Sequence, residues 1–397
     1  MKALVIAPQP FYSPRGTPFS VYYRTLVTAE LGVNIDLLTY GEGADVDIPG
    51  VRMIRIPRFR VLGAVKIGPS LLKLFLDVFL VFRTIALLAK NRYDFVHAHE
   101  EAVFFCRFLK SLFGFKLVYD MHSSLPQQLT NFQFTRSRVL IGLFKKLEDS
   151  CLKAANAVIT ICPDLADYVT HLLPKNEKHI LIENSIFDPV RIASKGKATE
   201  AKEVEEAIDE KTDDLLRGKR LVVYAGTLEP YQGIDILVKA FSYVKRRQSD
   251  AMLLIVGGTE DQVAHYCALA RSLDIEKGCV FTGRVPQSTA KHYTRLASVL
   301  VSPRSEGTNT PLKIYEQLAS GIPLVATRIY SHTQVLDDQV AFLVDPEPED
   351  MTRGILAALE SGDKARQVAG NAVMLYREKY SRPVYIGKMK HLLGLLS

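Results

Sequence analysis

The sequence predicts an α/β protein of two doubly wound, Rossmann-like domains that face each other across a cleft. Its 397 residues exceed what one hydrophobic core usually organises. Short, nearly continuous apolar runs alternate with longer helical patterns, as expected for parallel strands that are covered on both faces. A charged stretch at residues 190–219, without a run able to form a core, separates two such series. We therefore expect an N-terminal domain at residues 1–189 and a C-terminal domain at residues 220–379.

Each series has its own strands and helices. In the first series the predicted strands are Ala3–Ala7, Asn34–Thr39, Arg52–Ile56, Asp94–Ala98, Lys116–Tyr119 and Ala157–Ile161, and the predicted helices are Phe19–Leu31, Leu71–Lys90 and Val139–Ala154. In the second series the predicted strands are Arg220–Tyr224, Ala251–Val256, Val280–Thr282, Val299–Ser302 and Leu324–Ala326. A final amphipathic helix, Val384–Leu396 within residues 380–397, is expected to pack back on the first domain.

Composition and charge narrow the classes of partner. With 48% hydrophobic and 23% charged residues the chain is an ordinary globular protein, which excludes disorder and fibres. A net charge of +7 favours a phosphorylated small molecule or an anionic membrane surface, although many proteins carry such charge for solubility alone. We expect no nucleic-acid partner, because no zinc-finger spacing or basic run with interleaved aromatics occurs.

The cysteines and the N-terminus point to the cytoplasm. Five scattered cysteines without a CxxC pair indicate reduced thiols, most of them in the interior, and no metal site. The chain opens directly on a strand, MKALVIAP, rather than on a signal segment.

One region has two interpretations. Ser70–Ala89 is nearly long enough to span a bilayer, but three charged residues interrupt it, which predicts an amphipathic helix. Arg55, Arg58, Arg60 and Lys66 precede this helix. The region could attach the protein to the inner face of the membrane, or the helix could simply pack on the core with solvated basic flanks.

Two loops offer anion sites. After the first strand, Gly16 allows close approach of the backbone and Arg15 adds charge, although an ordinary turn would look the same. In SPRSEGTNTPLKIYEQLASGIPLVAT, residues 302–327, Thr310 is predicted to cap a helix that has Pro311 at its first position and ends at Gly321.

Lys313 and Glu316 share one face of that predicted helix. The lysine could hold a phosphate while the carboxylate accepts hydrogen bonds from ribose hydroxyls. The alternative is a surface ion pair, which is common.

This segment resembles the C-terminal signature of family 4 of the glycosyltransferases, retaining enzymes of the GT-B architecture. The resemblance extends over nearly the whole chain. It includes the segments YAGTLEPYQGIDILVKAF (Tyr224–Phe241), YDFVHAHEEA (Tyr93–Ala102), LVYDMHSSLPQQL (Leu117–Leu129) and LIENSIFDP (Leu181–Pro189).

The resemblance implies roles for individual residues. Gly16 and Thr17 would lie against the donor phosphates, His122 beside the transferred sugar, Glu316 on the ribose and Val285 beside the base. It also implies a nucleotide-sugar donor, a UDP-sugar in preference to a GDP-sugar, and a lipid-linked or glycan acceptor. No metal ion or covalent cofactor is implied, since the leaving phosphate itself helps to deprotonate the acceptor.

The sequence departs from the family pattern at the leaving-group cations. The arginine that usually follows the glycine at Gly226 is Thr227, and the lysine that usually precedes the glycine at Gly233 is Gln232. Lys313, Arg304 and Arg15 are candidate replacements. Counting back from Glu316 places Thr308, rather than Glu306, where the family has its first acidic residue.

These arguments define the expected site. The predicted catalytic residues are His122 and Lys313, and the predicted donor-binding residues are Gly16, Thr17, Gly226, Thr227, Gln232, Val285, Arg304, Glu306, Thr308, Asn309, Thr310 and Glu316. The predicted acceptor-side residues are Arg15, His99, Glu100 and Ser123.

The sequence leaves alternatives for the roles of two neighbouring residues and for the function of the chain. Beside the acceptor-side residues, His97 could be structural, and Asp120 is expected to point away from His122 if its strand continues. The same sequence is compatible with a GT-B phosphorylase or epimerase, or with a non-catalytic subunit that binds nucleotide or glycan.

Overall fold

The computed structural model describes residues 1–13, 16–59, 63, 65, 70–124, 126, 137–174, 177–184, 187, 190 and 210–397. The chain divides into two compact units. The first comprises Met1–Ala193 together with Arg382–Ser397, and the second comprises Ser194–Ser381. Most of the charged stretch at residues 190–219 lies outside the described residues, but its last part forms a helix whose Leu216 is buried in the core of the second unit.

The first unit is a seven-stranded parallel sheet with helices on both faces. Its strands are β1 (Lys2–Ala7), β2 (Asn34–Thr39), β3 (Val51–Arg55), β4 (Phe95–His99), β5 (Lys116–Met121), β6 (Ala157–Thr160) and β7 (His179–Leu181), in the spatial order β3-β2-β1-β4-β5-β6-β7. Its helices are α1 (Gly16–Glu30), α2 (Leu71–Lys90), α3 (Ala102–Phe113), α4 (Arg138–Ala154), α5 (Pro163–Leu172) and the C-terminal α14 (Arg382–Leu395). Helices α2 to α5 pack on one face of the sheet, while α1 and α14 contribute to the core on the other.

The second unit repeats this architecture with a six-stranded parallel sheet. Its strands are β8 (Arg220–Ala225), β9 (Ala251–Val256), β10 (Cys279–Phe281), β11 (Val299–Ser302), β12 (Leu324–Thr327) and β13 (Phe342–Val344), in the spatial order β10-β9-β8-β11-β12-β13. Its helices are α6 (Glu210–Leu216), α7 (Ile234–Arg247), α8 (Glu260–Ser272), α9 (Gln287–Arg295), α10 (Leu312–Ala319), α11 (Tyr330–Thr333), α12 (Pro348–Glu360) and α13 (Gly362–Lys379).

The predicted strands all form, with ends displaced by no more than two residues. Apolar runs without alternation give strands that are buried on both faces, as in β9, where every residue is buried. The strands β7 and β13, each of three residues, were missed by the sequence interpretation, whereas β10 of the same length was predicted.

Both sheets reverse their strand order at one place. The reversal lies between β1 and β4 in the first sheet and between β8 and β11 in the second. In open parallel sheets, ligands bind beyond the carboxyl ends of the strands at such a point. A functional site is therefore expected at the loops that follow β1, β4, β8 and β11.

The five cysteines differ in burial. Cys106, Cys151 and Cys162 are buried, and Cys267 and Cys279 are half-buried. In the part of the chain that the structure describes, no helix is long and apolar enough to cross a membrane.

Candidate active site

Lys313 reaches from α10 to the loop that follows β8. Its Nζ donates a hydrogen bond to Gln232 Oε1 at 3.2 Å and lies 3.9 Å from the centre of the Tyr224 ring. A Cβ atom added at Gly226 would come within 3.1 Å of this ammonium group. The Lys313 amine therefore lies beside Gly226 and Gln232. In the family pattern the cations of this region come from the loop after β8, at the positions of Thr227 and Gln232.

Two backbone features hold these loops together. The Tyr224 hydroxyl donates to the carbonyl of Thr227 at 2.6 Å, which fixes the turn after β8. Gly233 has φ 68°, and a Cβ atom there would lie 2.0 Å from the carbonyl oxygen of Pro303 at the end of β11. Only glycine allows this approach, and it brings Gln232 close to the carboxyl end of β11.

A second cation lies next to Lys313. The Arg304 guanidinium stacks over the Tyr231 ring at 5.2 Å and donates from Nε to the carbonyl of Glu306. Burial, and then the charge of Arg304, lower the pKa of Lys313 to about 7. Among residues 210–397 and the other described residues, no carboxylate forms an ion pair with Lys313 or Arg304. Two neighbouring cations without a counter-charge create a favourable site for an anion.

Glu316 follows Lys313 by three residues on α10 and is an exposed residue. Desolvation by its surroundings raises the pKa of Glu316 to about 7, and Lys291 opposes this shift only in part. The carboxylate is thus destabilised until it gains hydrogen-bond donors, as a ribose diol would supply.

The start of α10 differs from the prediction. The helix begins at Leu312, and Pro311 is its N-cap residue in an extended conformation with ψ 138°. Thr310 precedes the cap, so the prediction that it caps the helix was wrong. Its Oγ1 is buried and has no hydrogen-bond partner among the described residues.

The remaining predicted donor residues lie around these loops. Glu306 and Thr308 are exposed, and Asn309 is half-buried. The carbonyl of Thr308 accepts a hydrogen bond from Gln334. Val285 is half-buried and packs on the core of the second unit.

In the first unit, β4 and β5 bring together a buried group that we name the His122 cluster, consisting of Arg24, His97, His99, Asp120 and His122. Each of these side chains is at most 3% exposed. Asp120 Oδ2 accepts hydrogen bonds from Arg24 Nε at 2.9 Å and from His97 Nε2 at 3.0 Å. His99 Nδ1 and His122 Nε2 are hydrogen-bonded at 2.9 Å.

The cluster carries the buried ion pair of Arg24 with Asp120, and two of its imidazoles, His99 and His122, are neutral. Although burial alone would raise it, the Arg24 charge and the adjacent histidines hold the pKa of Asp120 well below its usual value. Burial lowers the pKa of His122 to about 4 and holds the pKa of His99 well below its usual value. At neutral pH, His122 can therefore exchange hydrogen bonds with a sugar hydroxyl but carries no charge.

Asp120 is a correction to the sequence interpretation. Its Oδ1 lies 3.4 Å from His122 Nε2, so it does not point away from His122. The strand β5 ends at Met121, and the alternation of sides expected within a strand does not continue to residue 122. Arg24 was also missed, although a single arginine inside the apolar helix pattern around Tyr22 and Tyr23 was a usable signal.

The cluster also contains a potential metal-ligand set. Ligand atoms of His97, His99 and Asp120 lie within 4.8 Å of one another, whereas the sequence interpretation treated these residues separately. The Arg24 guanidinium already neutralises the carboxylate, and a divalent ion beside it would be repelled. The structure therefore favours an internally compensated cluster.

The other predicted residues of the first unit differ in accessibility. Gly16 is the first residue of α1 and is exposed, and Thr17 is half-buried. Glu100 follows β4 with φ 49°, and Ser123 is half-buried after β5. Arg15 lies outside the described residues.

Models of known protein families match residues in both units. The family model described as glycosyl transferases group 1 matches residues 206–373, and the one described as glycosyl transferase 4-like domain matches residues 25–185.

Among curated proteins, the chain is similar to an uncharacterized glycosyltransferase of Methanocaldococcus jannaschii, with 23% identity over 54% of this chain and 55% of that one. It is also similar to the phosphatidyl-myo-inositol mannosyltransferase of Mycobacterium tuberculosis, with 31% identity over 41% of this chain and 44% of that one. The chain thus spans about half the length of the curated relatives that it matches.

Among solved structures, the sucrose-phosphate synthase of Thermosynechococcus elongatus superposes with a TM-score of 0.76 at 20% identity, covering 100% of this chain and 98% of that one. HepE of Anabaena, solved in complex with UDP, superposes with a TM-score of 0.71 at 14% identity, covering 99% and 100%. At these identities the likeness concerns the fold.

Proposed function

We propose that this chain, which belongs to the group 1, family 4-like glycosyltransferases, moves a sugar from a nucleoside diphosphate to a lipid-linked or glycan acceptor with retention of configuration. Its two parallel-sheet α/β units have the GT-B fold. The proposal concerns the donor, the acceptor and the stereochemistry, which family membership leaves open.

The observation that carries the proposal is the pair of cations at the reversal point of the second sheet, for which the described part of the chain supplies no acidic partner. In this proposal Lys313 and Arg304 bind the diphosphate, and the Glu316 carboxyl, one helical turn further on, binds the ribose. A diphosphate would restore the charge of Lys313, and ribose hydroxyls would stabilise the charged form of Glu316. These two groups together fit a nucleotide better than they fit a simple phosphate.

The same groups would act during transfer. As the bond between the anomeric carbon and the β-phosphate oxygen breaks, negative charge builds on the diphosphate, and Lys313 would stabilise it more than in the ground state. The acceptor oxygen would form the new bond on the same face of the sugar, and its proton would pass to the departing phosphate oxygen. Neutral His122 would hold the sugar by a hydrogen bond.

The donor is proposed to be a UDP-sugar rather than a GDP-sugar. Structures of HepE that share this fold were solved with UDP and with UDP-glucose. A mannosyltransferase that acts on phosphatidyl-myo-inositol is among the curated relatives, by its printed name, and supports a lipid-linked acceptor. Peripheral attachment to the inner face of the membrane belongs to this proposal.

The proposal is tested by a thermal-shift screen with UDP, GDP, ADP, dTDP and CMP, followed by release of nucleotide from the matching sugar donor without acceptor. A ligand at one hundred times its Kd adds about 2.7 kcal/mol of apparent stability. We expect UDP to give the largest shift and slow UDP release to follow. UDP binding without any release would indicate a binding subunit, and sugar 1-phosphate formation in the presence of inorganic phosphate would indicate a phosphorylase.

A further inference from the structure

Exposed apolar side chains are concentrated on three neighbouring helices of the first unit. Of the eighteen large hydrophobic side chains exposed among the described residues, eleven lie on α2, α3 and α4. These eleven, which we name the apolar surface, are Leu71, Leu74, Phe75, Val78, Phe82, Ile85, Phe108, Leu112, Val139, Leu140 and Leu143. Scattered single exposures are ordinary, whereas a group on adjacent helices marks an interaction site.

Helix α2 is apolar on two opposite sides. Its buried residues, which include Leu76, Leu80 and Leu87, face the core at helical spacing. The six exposed residues from Leu71 to Ile85 are spaced by three or four positions, apart from the adjacent Leu74 and Phe75, and at 100° per residue they form a stripe on the opposite side. The side chain of Phe82 is 67% exposed on this stripe. Among the described residues, the hydrophobic core of the first unit includes only the inner side of α2, and on the outer stripe Phe75 contacts the rings of Phe59 and Phe79.

The other two helices extend the apolar surface. Helix α3 packs against both α2 and α4, and all three cover the same face of the sheet. Their outer sides therefore belong to one side of the first unit. On α3, Phe108 and Leu112 are one turn apart, and on α4 the same holds for Val139 and Leu143.

The charges on these helices are strongly biased. The sequences of α2, α3 and α4 contain nine lysines and arginines but three acidic residues. Each acidic residue has a partner inside the protein: Asp77 accepts from Tyr40, Glu148 from Ser124 and Asp149 from Tyr168. Exposed basic side chains on the same helices are Arg83, Lys90, Lys145, Lys146 and Lys153.

We infer that the apolar surface inserts into the interface of an anionic lipid bilayer. Leucine and phenylalanine side chains flanked by lysine and arginine match the acyl boundary and the anionic headgroups of such a bilayer. Charge complementarity decides between occupants, because a second copy of this chain would bring the same excess of positive charge to the contact.

The region predicted from sequence combined the basic loop before α2 with α2 itself, and the apolar surface includes only the helix part of it. Arg55 donates hydrogen bonds to the carbonyls of Tyr40, Glu42 and Ala44 and to Asp45. Its guanidinium is therefore engaged within the protein, while Arg60 and Lys66 lie outside the described residues. The contact assigned here depends on the helices and not on that loop.

The test is sedimentation of the full chain with phosphatidylcholine vesicles, with and without 30% phosphatidylglycerol. Leu74→Ser with Phe82→Ser is expected to weaken binding to the anionic vesicles by about tenfold or more. Lys145→Glu with Lys146→Glu is expected to weaken binding to the anionic vesicles by a similar factor and to leave binding to neutral vesicles unchanged. The matched control is Tyr243→Ser with Met374→Ser, which removes exposed apolar side chains of the second unit and should bind like wild type.

Three results would overturn the inference: no sedimentation of wild type with anionic vesicles, equal weakening by the control, or a dimer in solution that Leu74→Ser with Phe82→Ser dissociates. The thermal midpoint of each variant shows that it is folded. The inference deepens the peripheral membrane attachment named under the proposed function, but it does not rest on the proposed transfer reaction. Vesicle binding is measured without donor or acceptor, so its failure and a failure of the transfer reaction are distinguishable.

Discussion

Lys313 and Glu316 lie on one turn of α10, and their pKa values shift in opposite directions to about 7. Desolvation by the surrounding protein disfavours the charged form of each side chain. A nucleotide sugar, by contrast, interacts best with the ammonium and the carboxylate. Binding must therefore recharge whichever of the two groups is neutral at the pH of the experiment.

The affinity for a UDP-sugar is accordingly expected to be greatest near pH 7. Below pH 7 the Glu316 carboxyl is protonated before binding, and above pH 7 the Lys313 amine is neutral, so affinity falls by up to tenfold per unit on either side. A nucleotide sugar suits the measurement, since its diphosphate has no terminal group that titrates in this range. Calorimetric titration between pH 5.5 and 8.5 gives the profile.

Two variants test separately the fall in affinity below pH 7, the acid limb, and the fall above pH 7, the alkaline limb. Glu316→Gln should lose the acid limb and bind more weakly by about 1–3 kcal/mol at pH 7, while Lys313→Ala should lose the alkaline limb. A flat wild-type profile, or an unchanged affinity in Glu316→Gln, would contradict the assignment of the ribose to Glu316.

Much of this site could be predicted from individual residues, because the spacing that brings them together is local in the sequence. A three-residue spacing on a helix places Lys313 and Glu316 on one face regardless of what packs around them. The position of the Lys313 amine beside Gln232 could not be predicted, because the contact spans 81 residues and depends on the turn at Gly233. The cap at Thr310 was predicted wrongly, since the extended conformation of Pro311 delays the helix by one residue.

Among the elements, α1 is tied to β5 and α14 by one buried side chain. Arg24 donates to Asp120 at 2.9 Å, to the carbonyl of Ile182 at 2.7 Å and to the Tyr385 hydroxyl at 2.9 Å. The pKa of Asp120 stays well below its usual value, so the carboxylate remains charged in the core and needs this partner.

Arg24→Ala is expected to destabilise the protein by about 3–5 kcal/mol, because it leaves the Asp120 carboxylate buried without a cation. Tyr385→Phe removes one hydrogen bond and should cost about 0.5–1.5 kcal/mol. Urea unfolding measures both. The control is Arg382→Ala, which breaks the exposed pair between α14 and Glu30 of α1 and should cost less than about 1 kcal/mol. Equal costs for Arg24→Ala and Arg382→Ala would show that Asp120 does not depend on Arg24.

The elements themselves were predictable where a run was long. Periodicity gave α2 with the bounds that the structure has, Leu71–Lys90. The exposure of the outer stripe of α2 could not be predicted, because the sequence of a helix that is apolar on two sides does not distinguish an exposed side from a buried one. Which side faces the core depends on the sheet beneath it.

For the whole molecule, the two parallel sheets follow from alternating apolar runs and helices, and the charged stretch indicated their separation. The His122 cluster could not be predicted, because its members come from α1, β4 and the end of β5, and Arg24 and Asp120 are 96 residues apart. Long-range pairs of this kind depend on strand order, which local patterns do not determine.

The transfer reaction is expected to proceed without a divalent metal. The cations at the reversal point of the second sheet are Lys313 and Arg304, and the histidines of the first unit surround an ion pair with Arg24. Nucleotide release from a UDP-sugar should therefore be unchanged by excess EDTA. Loss of turnover in EDTA that Mg²⁺ or Mn²⁺ restores would contradict this prediction.

The measurement that tests the central claim most directly is kcat of Lys313→Ala at saturating donor. If Lys313 stabilises the departing diphosphate, kcat should fall by more than about tenfold, which is 1.4 kcal/mol of barrier. Affinity for uridine should be unchanged, Lys313→Arg should restore kcat only in part, and Thr227→Arg with Gln232→Lys should recover activity in the Lys313→Ala background. Lys239→Ala, at an exposed pair with Asp235 on α7, is the matched control. A kcat within about a factor of three of wild type, under 1 kcal/mol of barrier, would show that this lysine does not supply the charge.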